Sequence, residues 1–457
     1  MKTGVEKGPL GCAWRVAKKI ENPFWKASAL TDIASKYIRA GQKERACHIL
    51  AQARKAAERI DEDVRKAEAL SAIAVRYAEA GEFDRALAVA ETIEGYDDRF
   101  NVVANIASGH ADIGQFKEAL RLAGTIETPE QKAIALAEIA RAYRQAGRKE
   151  EGSRLLSRVL VAAKKARDEA DIDWALAEVA HRYAVARFFR QSVRVAKRIQ
   201  DPYWKAWALA QIATESVDAG ERKKRPEILA EAFELTGSVD DAFRKSSVLY
   251  DIADAYAKCQ EHDKAWELFL LSARAARRIR DPLLKPLVLG RIAGVYAETG
   301  RYEKALRLAK RLQSDYLNGH GYAVVAAAYA RAGQYERAFG LVEKIWDGDS
   351  RALALGAIAA FFARAGHFDQ ALWVAGRIEQ AEGKGAALVQ IANVHAEAGR
   401  YAEALEVAKK IQARHLKAGL LADIGDRYAE AGREVDAAER RILAEIIKEP
   451  GPEKKSG

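Results

Sequence analysis

Sulfur-containing residues and proline are scarce in this chain of 457 residues, which has one methionine, three cysteines and nine prolines. Cys12, Cys47 and Cys259 lie far apart and form no CxxC pair, so the sequence gives little support to a disulfide framework or a zinc site. No run of about 18 uncharged apolar residues is present, which argues against a membrane-spanning helix. Residues 1–9 lack the apolar core of a secretory signal peptide. We therefore expect a cytoplasmic protein with reduced thiols.

The composition is that of a folded protein with an excess of positive charge. Hydrophobic residues make up 49% of the chain and charged residues 31%, which excludes wholesale disorder. The 75 lysines and arginines outnumber the 65 acidic residues, for a net charge of +10. The length is roughly three times the ~150 residues of an ordinary domain. It therefore predicts either several domains or an array of repeats.

A short pattern recurs along the whole chain. The segment at 69–81, ALSAIAVRYAEAG, returns in similar form at 135–147, 288–300 and 387–399. Successive copies are 33 residues apart, except that four intervals are 40 residues long. Seven extra residues are about two helical turns, and such an insertion lengthens a helix without rotating its apolar face. Each copy ends at a residue that we call the anchor, and the twelve anchors are Gly41, Gly81, Gly114, Gly147, Arg187, Gly220, Gln260, Gly300, Gly333, Gly366, Gly399 and Gly432.

Each repeat predicts a pair of helices. Apolar residues stand 11, 8, 7 and 4 positions before the anchor, and this spacing is one stripe of a helix. The anchor glycine suits the left-handed conformation that ends a helix, and the apolar stripe that follows it predicts a second, antiparallel helix. The residue seven positions before the anchor is alanine in eleven repeats and Gly425 in the twelfth. This uniformity predicts close contact between two helix backbones.

The order of these residues, Ala-Leu, Ile-Ala and Tyr-Ala followed by Ala-Gly-x-Tyr/Phe-x-x-Ala-Leu, resembles the tetratricopeptide repeat. The resemblance covers about residues 22–448, although the period is 33 rather than the usual ~34. It implies an all-α fold, a right-handed α-solenoid of about twelve stacked helix-turn-helix repeats, four of them lengthened by seven residues. It also implies that the first helices line a concave groove, where partners of such arrays usually bind.

The ends of the array predict a cap and a tail. Residues 10–21 match the second helix of a repeat that lacks its first helix, so residues 1–21 are predicted to form an N-terminal half-repeat cap. Residues 22–448 are then one solenoid. Residues 449–457 have no apolar content and predict a disordered tail.

Catalytic and cofactor motifs are absent from the sequence. There is no HExxH, GxSxG or calcium-binding loop, and the eight histidines are scattered. A segment ending Gly383-Lys384-Gly385 superficially resembles a phosphate-binding loop, but no serine or threonine follows the lysine and no strand precedes it. His110 and His395 occupy an apolar position of the repeat, so we interpret both as core residues. We expect a non-enzymatic protein without a cofactor or metal.

The predicted groove is acidic. The helix face opposite the apolar stripe lies 13, 9, 6 and 2 positions before the anchor, and over the twelve repeats it carries fourteen acidic and six basic residues. Such a lining favours a cationic or mixed-charge protein segment over nucleic acid. The alternative is that these acidic residues only keep an exposed face soluble.

Aromatic residues interrupt this face in the middle repeats. Trp174 and Trp207 lie 13 positions before their anchors, and exposed tryptophans are frequent binding hot spots. In the alternative interpretation, both pack on the preceding hairpin and only tighten the stack. The sequence thus predicts a scaffold or adaptor for a protein or peptide, with a candidate site formed by Trp174, Glu178, His181, Trp207, Gln211, Asp251, Asp254 and Arg291.

Two groups of basic residues leave further alternatives open. Ten of the twelve repeats have lysine or arginine 15 positions before the anchor, near the start of the first helix, where the helix dipole disfavours a cation. We interpret them as a salt-bridge ladder with nearby acidic residues rather than as a phosphate-binding stripe. Residues 148–225 hold 18 basic against 11 acidic residues. This patch carries the alternative function, a nucleic-acid-associated adaptor.

Overall fold

A computed structural model describes residues 8–448 apart from 95, 167, 219–224, 282–283, 299 and 311–314. These residues form twenty-five α-helices and a 3-10 turn at Thr236–Ser238, and they contain no β-strand, so the predicted all-α class is confirmed. The helices are α1 (Pro9–Lys18), α2 (Pro23–Arg39), α3 (Lys43–Ala57), α4 (Asp63–Glu79), α5 (Phe83–Ala90), α6 (Tyr96–Asp112), α7 (Phe116–Thr125), α8 (Pro129–Gln145), α9 (Lys149–Ala163), α10 (Glu169–Val185), α11 (Phe189–Ala196), α12 (Pro202–Asp218), α13 (Arg225–Leu235), α14 (Ala242–Lys258), α15 (His262–Ala276), α16 (Leu284–Glu298), α17 (Tyr302–Ala309), α18 (Asp315–Arg331), α19 (Tyr335–Val342), α20 (Gly348–Arg364), α21 (Phe368–Gly376), α22 (Ala381–Glu397), α23 (Tyr401–Lys409), α24 (Arg414–Glu430) and α25 (Ala437–Lys448).

The chain forms two compact units. Unit 1 comprises residues 1–80 and 293–457, and unit 2 comprises residues 81–292. In each unit several even-numbered helices pair with the odd-numbered helix that follows, as α8 does with α9 and α20 with α21. The first helices of consecutive hairpins also lie side by side, α8, α10, α12 and α14 in unit 2 and α18, α20, α22 and α24 in unit 1. The first helices therefore form one layer within each unit.

A left-handed residue ends the first helix of each hairpin whose anchor is described. Eleven anchors have positive φ, and Gly220 lies outside the described residues. The amide that follows the anchor donates to the carbonyl five residues earlier, as Gln42 does to Tyr37 at 2.8 Å, which is the bonding of a Schellman cap. Arg187 and Gln260 take the same conformation, at φ 60° and 65°, without the conformational freedom of glycine.

The seven-residue extensions lie in the second helices. Helices α3, α9 and α15 have 15 residues each, whereas α5, α11, α17 and α19 have 8. The difference is about two turns, so the apolar face keeps its direction. The fourth predicted extension falls in α13, directly after residues 219–224, which are outside the described part of the chain.

Small residues and stacked rings hold the hairpins together. A ring two positions after one anchor stacks on a ring four positions before the next, as Phe116 does on Tyr143 and Phe368 on His395, each at 3.9 Å between centroids. His395 is 6% exposed, burial lowers its pKa, and the predicted core role is confirmed. The alanines seven positions before the anchor are fully buried, as predicted: Ala34, Ala74, Ala107, Ala140, Ala180, Ala213, Ala253, Ala293, Ala326, Ala359 and Ala392.

The first helix packs against the last two helices in unit 1. Helix α1 lies against α24 as a second helix lies against its own first helix, and α2 lies beside α24. Cys12 and Ala13 of α1 are buried there, and the Cys12 thiol donates to the carbonyl of Leu443 at 3.7 Å. Helix α1, which belongs to the predicted half-repeat at residues 1–21, thus takes the place of a second helix on α24.

Ion pairs also join α2 to α24 in the layer of first helices. Lys36 Nζ lies 2.6 Å from a carboxylate oxygen of Asp423, and Arg39 lies 2.7 Å from Asp426. These residues belong to α2 and α24, the first helices of the first and last repeats. The junction thus combines an apolar contact through α1 with a polar contact through α2.

Replacing Gly425 with alanine is expected to destabilise unit 1. A Cβ at this position would lie 2.9 Å from the amide nitrogen and 3.2 Å from the Cα of Leu10, which are backbone atoms of α1. Overpacking of this kind costs roughly 1–3 kcal/mol, and it opposes the gain of about 1 kcal/mol that alanine brings to a helix interior. Thermal unfolding followed by circular dichroism measures the net loss.

Gly419 provides a matched control on the same helix. A Cβ there meets no atom within 4 Å, so Gly419→Ala is expected to stabilise the protein by about 1 kcal/mol. If Gly425→Ala stabilised the protein as much as Gly419→Ala does, the close approach of α1 to α24 would be contradicted.

Lysines near the starts of the first helices bond to the ends of the preceding second helices. Lys26 and Lys132 donate at 2.8 Å to the carbonyls of Lys18 and Gly124, and Lys417 makes the equivalent bond in the last repeat. The C-terminal end of a helix dipole favours a cation, which explains the recurrence of these lysines. Lys26 and Lys132 therefore bond to backbone carbonyls, rather than to the acidic residues that we expected.

Candidate functional site

The candidate residues all lie in unit 2, on four first helices, and α10, α12 and α14 among these are neighbours in the layer. Arg291 is exposed, and the other seven are partly exposed, as expected for positions opposite the apolar stripe. Helix α10 carries Trp174, Glu178 and His181, helix α12 carries Trp207 and Gln211, helix α14 carries Asp251 and Asp254, and helix α16 carries Arg291.

A row of rings crosses from α10 to α12. The ring centroids of His181 and Trp207 are 5.8 Å apart with an interplanar angle of 85°, which is an edge-to-face contact. Trp204 meets Trp207 edge to face at 6.1 Å, and Tyr203 meets Trp204 at 4.8 Å. We call Tyr203, Trp204, Trp207 and His181 the aromatic row.

Glu215 places a carboxylate beside the aromatic row. Its Oε1 lies 3.8 Å from Nε2 of His181, and the two side chains are 31% and 30% exposed. Among the described residues, no lysine or arginine pairs with Glu215 or lies over the ring of Trp207. The His181 ring therefore contacts both the ring of Trp207 and a carboxylate that solvent can reach.

A second ring and carboxylate lie on α14 and hold an arginine of the chain. The guanidinium of Arg291 lies 3.9 Å from the ring centroid of Tyr250 and 3.4 Å from a carboxylate oxygen of Asp251. Burial raises the pKa of Asp251 to about 6, against the attraction of Arg291, which lowers it. The carboxyl is therefore close to half protonated in mildly acidic solution.

A third arrangement of the same kind lies at the start of α12. The guanidinium of Arg244 lies 5.2 Å from the ring centroid of Tyr203 and 3.2 Å from the carboxylate of Asp201. Burial, followed by the negative charge of Asp251, raises the pKa of Tyr203. This surface thus binds arginine twice from within the chain, each time with one ring and one carboxylate.

The remaining candidates make other contacts or lie nearby. Asp254 pairs with Lys258 at 2.8 Å, and Glu178 lies 4.0 Å from Arg182. Trp174 and Gln211 lie one helical turn from Glu178 and Trp207 on their own helices. The structure therefore brings together two pairs of the predicted set, His181 with Trp207 and Asp251 with Arg291.

Ion pairs offset much of the acidic excess expected on the first helices. The residue five positions before the anchor also points to this face, and it is basic in four repeats, at Lys36, Arg76, Arg182 and Arg427. Nine of the fourteen acidic residues lie within 4.0 Å of a lysine or arginine nitrogen. They are Glu79, Asp112, Glu138, Glu178, Asp251, Asp254, Glu397, Asp423 and Asp426.

Sequence reasoning missed Tyr203, Trp204 and Glu215 because it placed the exposed face at four positions of the repeat only. Trp204 lies 16 and Glu215 five positions before the anchor. At 100° per residue these two positions differ by about 20°, so they share one side of α12. A wider helical face, read from the same sequence, would have included both residues.

The described residues contain neither a metal-binding group nor a membrane-spanning helix. No group of three or more histidine, cysteine or acidic side chains is arranged to hold a metal ion in the part of the chain that the structure describes. None of the helices there is long and apolar enough to span a membrane.

The hairpins, left-handed anchors and layered first helices make this a tetratricopeptide-like helical-repeat protein. Neither a protein-family model nor a curated protein matches the chain. Solved structures similar to it include Ton1535 from Thermococcus onnurineus NA1, with 19% identity over 71% of this chain and 99% of that chain and a TM-score of 0.29. Yeast Tom70 has 13% identity over 93% of this chain and 99% of its own, with a TM-score of 0.35. A signal transduction ATPase with a tetratricopeptide repeat sensor from Pyrococcus horikoshii has 15% identity over 80% of this chain and 64% of its own, with a TM-score of 0.33.

Proposed function

We propose that the protein is a non-enzymatic scaffold that holds a cationic side chain of a protein partner beside Trp207, His181 and Glu215. The observation that carries this proposal is that unit 2 twice holds an arginine against one ring and one carboxylate, at Arg291 and at Arg244. His181 contacts both the ring of Trp207 and the carboxylate of Glu215. No lysine or arginine among the described residues pairs with this group, so a partner can supply one.

The chemistry around His181 suits arginine. A guanidinium stacks on an indole face and presents a planar fork of donors to a carboxylate. The side chains of His181 and Glu215 are about two-thirds buried, and a charge-assisted hydrogen bond is stronger there than in open water. Trp204 extends the surface with a further ring, which fits an apolar residue next to the arginine.

The paired charges around the site favour a partner with few cations over a polycation. Glu178 and Asp251 already lie within 4.0 Å of arginine nitrogens, so they gain little from further positive charge. A short segment with one arginine between apolar residues is therefore the ligand that we propose.

Replacing Trp207 with alanine is expected to weaken the binding of such peptides by about 2 kcal/mol, roughly 30-fold, the usual loss at a hot spot. The probe is a library of short peptides with a central arginine, compared with the same peptides carrying glutamine, and affinity is measured by fluorescence anisotropy. Glu215→Gln is expected to reduce the preference for arginine over glutamine, because it removes the charge that distinguishes them.

Trp373 on α21 in unit 1 supplies the control, because this tryptophan is 60% exposed and lies outside the proposed site. Trp373→Ala is expected to leave peptide affinity unchanged. If Trp207 instead only packs against the preceding hairpin, its replacement would cost roughly 3–5 kcal/mol of stability. A large fall in melting temperature at unchanged affinity, or equal affinities for the two tryptophan variants, would refute the proposed site.

A further inference from the structure

The second helices α9 and α11 of unit 2 carry a group of exposed cations that we call the basic face. The two helices are in contact, and Gln191 Nε2 on α11 donates to Ser153 Oγ on α9 at 3.0 Å. Residues 179–200 contain no aspartate or glutamate. The exposed cations of the basic face are Arg154, Arg158, Lys164, Lys165, Arg187, Arg190, Arg194, Lys197 and Arg198.

Five cations of the basic face lie in α11 or next to its ends, and none of them has an acidic partner among the described residues. They are Arg187, Arg190, Arg194, Lys197 and Arg198. On α9, Arg154 lies 3.9 Å from Glu150, whose side chain is 88% exposed. The first helices of the same unit differ, since Arg141, Arg182 and Arg291 all pair with carboxylates there. Like charges left unpaired repel one another, so an anionic partner would relieve the repulsion across the basic face.

Arg190 and Arg194 are four residues apart in α11, which places them on one side of the helix about 6 Å apart along its axis. Lys197 and Arg198 follow at the end of the helix. The intervening Ser192, Val195 and Ala196 point into the core and are buried. The exposed side of α11 is therefore almost purely cationic.

We propose that the basic face binds the phosphate backbone of double-stranded nucleic acid without sequence preference. Six of its nine cations are arginines, which bond phosphate oxygens in a bidentate way. An acidic protein is the less suitable partner, because the centre of a protein interface is apolar and depleted of charge. Arginine and lysine contacts to phosphate position a protein on the duplex but do not read its bases.

Single-stranded nucleic acid is also less suitable, because proteins that bind it provide exposed aromatic rings for base stacking. Helix α9 contains no aromatic residue. Phe188 is 3% exposed and Phe189 is half-buried. The basic face thus provides charge without stacking surfaces, which matches the outside of a duplex.

The test compares two triple variants by fluorescence anisotropy with a labelled DNA duplex of mixed sequence. Arg190→Ala, Arg194→Ala and Arg198→Ala together are expected to weaken binding about 100-fold at roughly 0.15 M salt, and to lower the slope of log affinity against log salt by about 3. The control triple, Arg274→Ala, Arg277→Ala and Arg278→Ala, removes three exposed arginines at the end of α15 in the same unit and is expected to change affinity less than threefold. Circular dichroism verifies that both triples fold.

Three results would overturn the proposal. They are no measurable binding to the duplex at low salt, an equal loss in the two triple variants, and tighter binding to single-stranded DNA or to polyglutamate than to the duplex. Binding by another duplex sequence with the same affinity supports the lack of sequence preference. The basic face is separate from the proposed peptide site, so Trp207→Ala is expected to leave duplex affinity unchanged, and either proposal can fail alone.

Discussion

Deletion of residues 1–21 is expected to unfold the last hairpins of unit 1, at the opposite end of the sequence. Helix α1 buries Leu10 and Val16 against α24, and Ile20 follows at its end with 6% exposure. Each large aliphatic side chain contributes about 1.5–3 kcal/mol when buried, so the deletion removes roughly 4.5–9 kcal/mol. That loss is comparable with the whole stability of a typical domain, about 5–15 kcal/mol.

Hydrogen exchange locates this effect. In the truncated protein, the amides of α24 and α25 are expected to lose their protection, because α24 packs on α1 and α25 lies against both α1 and α23. The control Lys36→Gln breaks the ion pair to Asp423 and is expected to cost less than about 1 kcal/mol, as for other partly exposed pairs. Loss of protection confined to α2 and α3, with α24 unaffected, would contradict the packing of α1 on α24. It would instead favour a cap that stabilises only the first repeat.

The hairpins could be predicted from the sequence because their contacts are local and repeat. An anchor marks the end of one helix, and the alanine seven positions before it marks the contact of that helix with its neighbour. Every described anchor has a positive φ and every one of these alanines is buried, as predicted. The hydrogen bond from Cys12 in α1 to Leu443 in α25 spans 431 residues of sequence, and a periodic pattern carries no information on such a distance. One signal was present, since Gly425 replaces the usual alanine where the backbone of Leu10 in α1 approaches α24.

The candidate site was harder to predict than the fold. Helical position determines whether a side chain is exposed, and it correctly gave partial exposure for Trp174 and Trp207. It does not determine which neighbour a charged side chain finds, because that depends on the offset between adjacent helices. Arg182 therefore reaches back to Glu138 on α8 at 2.6 Å, a pairing that no position within one repeat indicates.

In unit 2, arginines of the first helices pair with carboxylates, whereas most exposed cations of α9 and α11 do not. The two proposed binding sites differ for this reason. The side-by-side first helices are close enough for arginines to reach carboxylates across the layer, as Arg141 does to Asp112 at 2.9 Å. Helices α9 and α11 offer few carboxylates to their cations, so those cations stay in solvent. A ligand on the first helices must compete with existing pairs, whereas one on the basic face meets unpaired charge.

Replacing Asp251 with asparagine is expected to stabilise the protein above pH 7 and to have little effect near pH 4. Burial raises the pKa of Asp251 from 3.8 to about 6, so the folded protein holds this proton more tightly than the unfolded chain does. The stability that the proton contributes is fully present below pH ~4 and is lost as the pH rises through about 6. A shift of this size corresponds to about 3 kcal/mol, which asparagine avoids because it carries no charge.

The measurement is the difference in melting temperature between Asp251→Asn and the unchanged protein from pH 4 to pH 8. We expect this difference to rise by several degrees across the interval around pH 6. Asp254→Asn, one turn away on α14, controls for the removal of one negative charge at a more exposed carboxylate. A difference that stays constant with pH would contradict the raised pKa. If Asp251→Asn were the less stable protein above pH 7, the ion pair with Arg291 would outweigh the cost of burying the carboxylate.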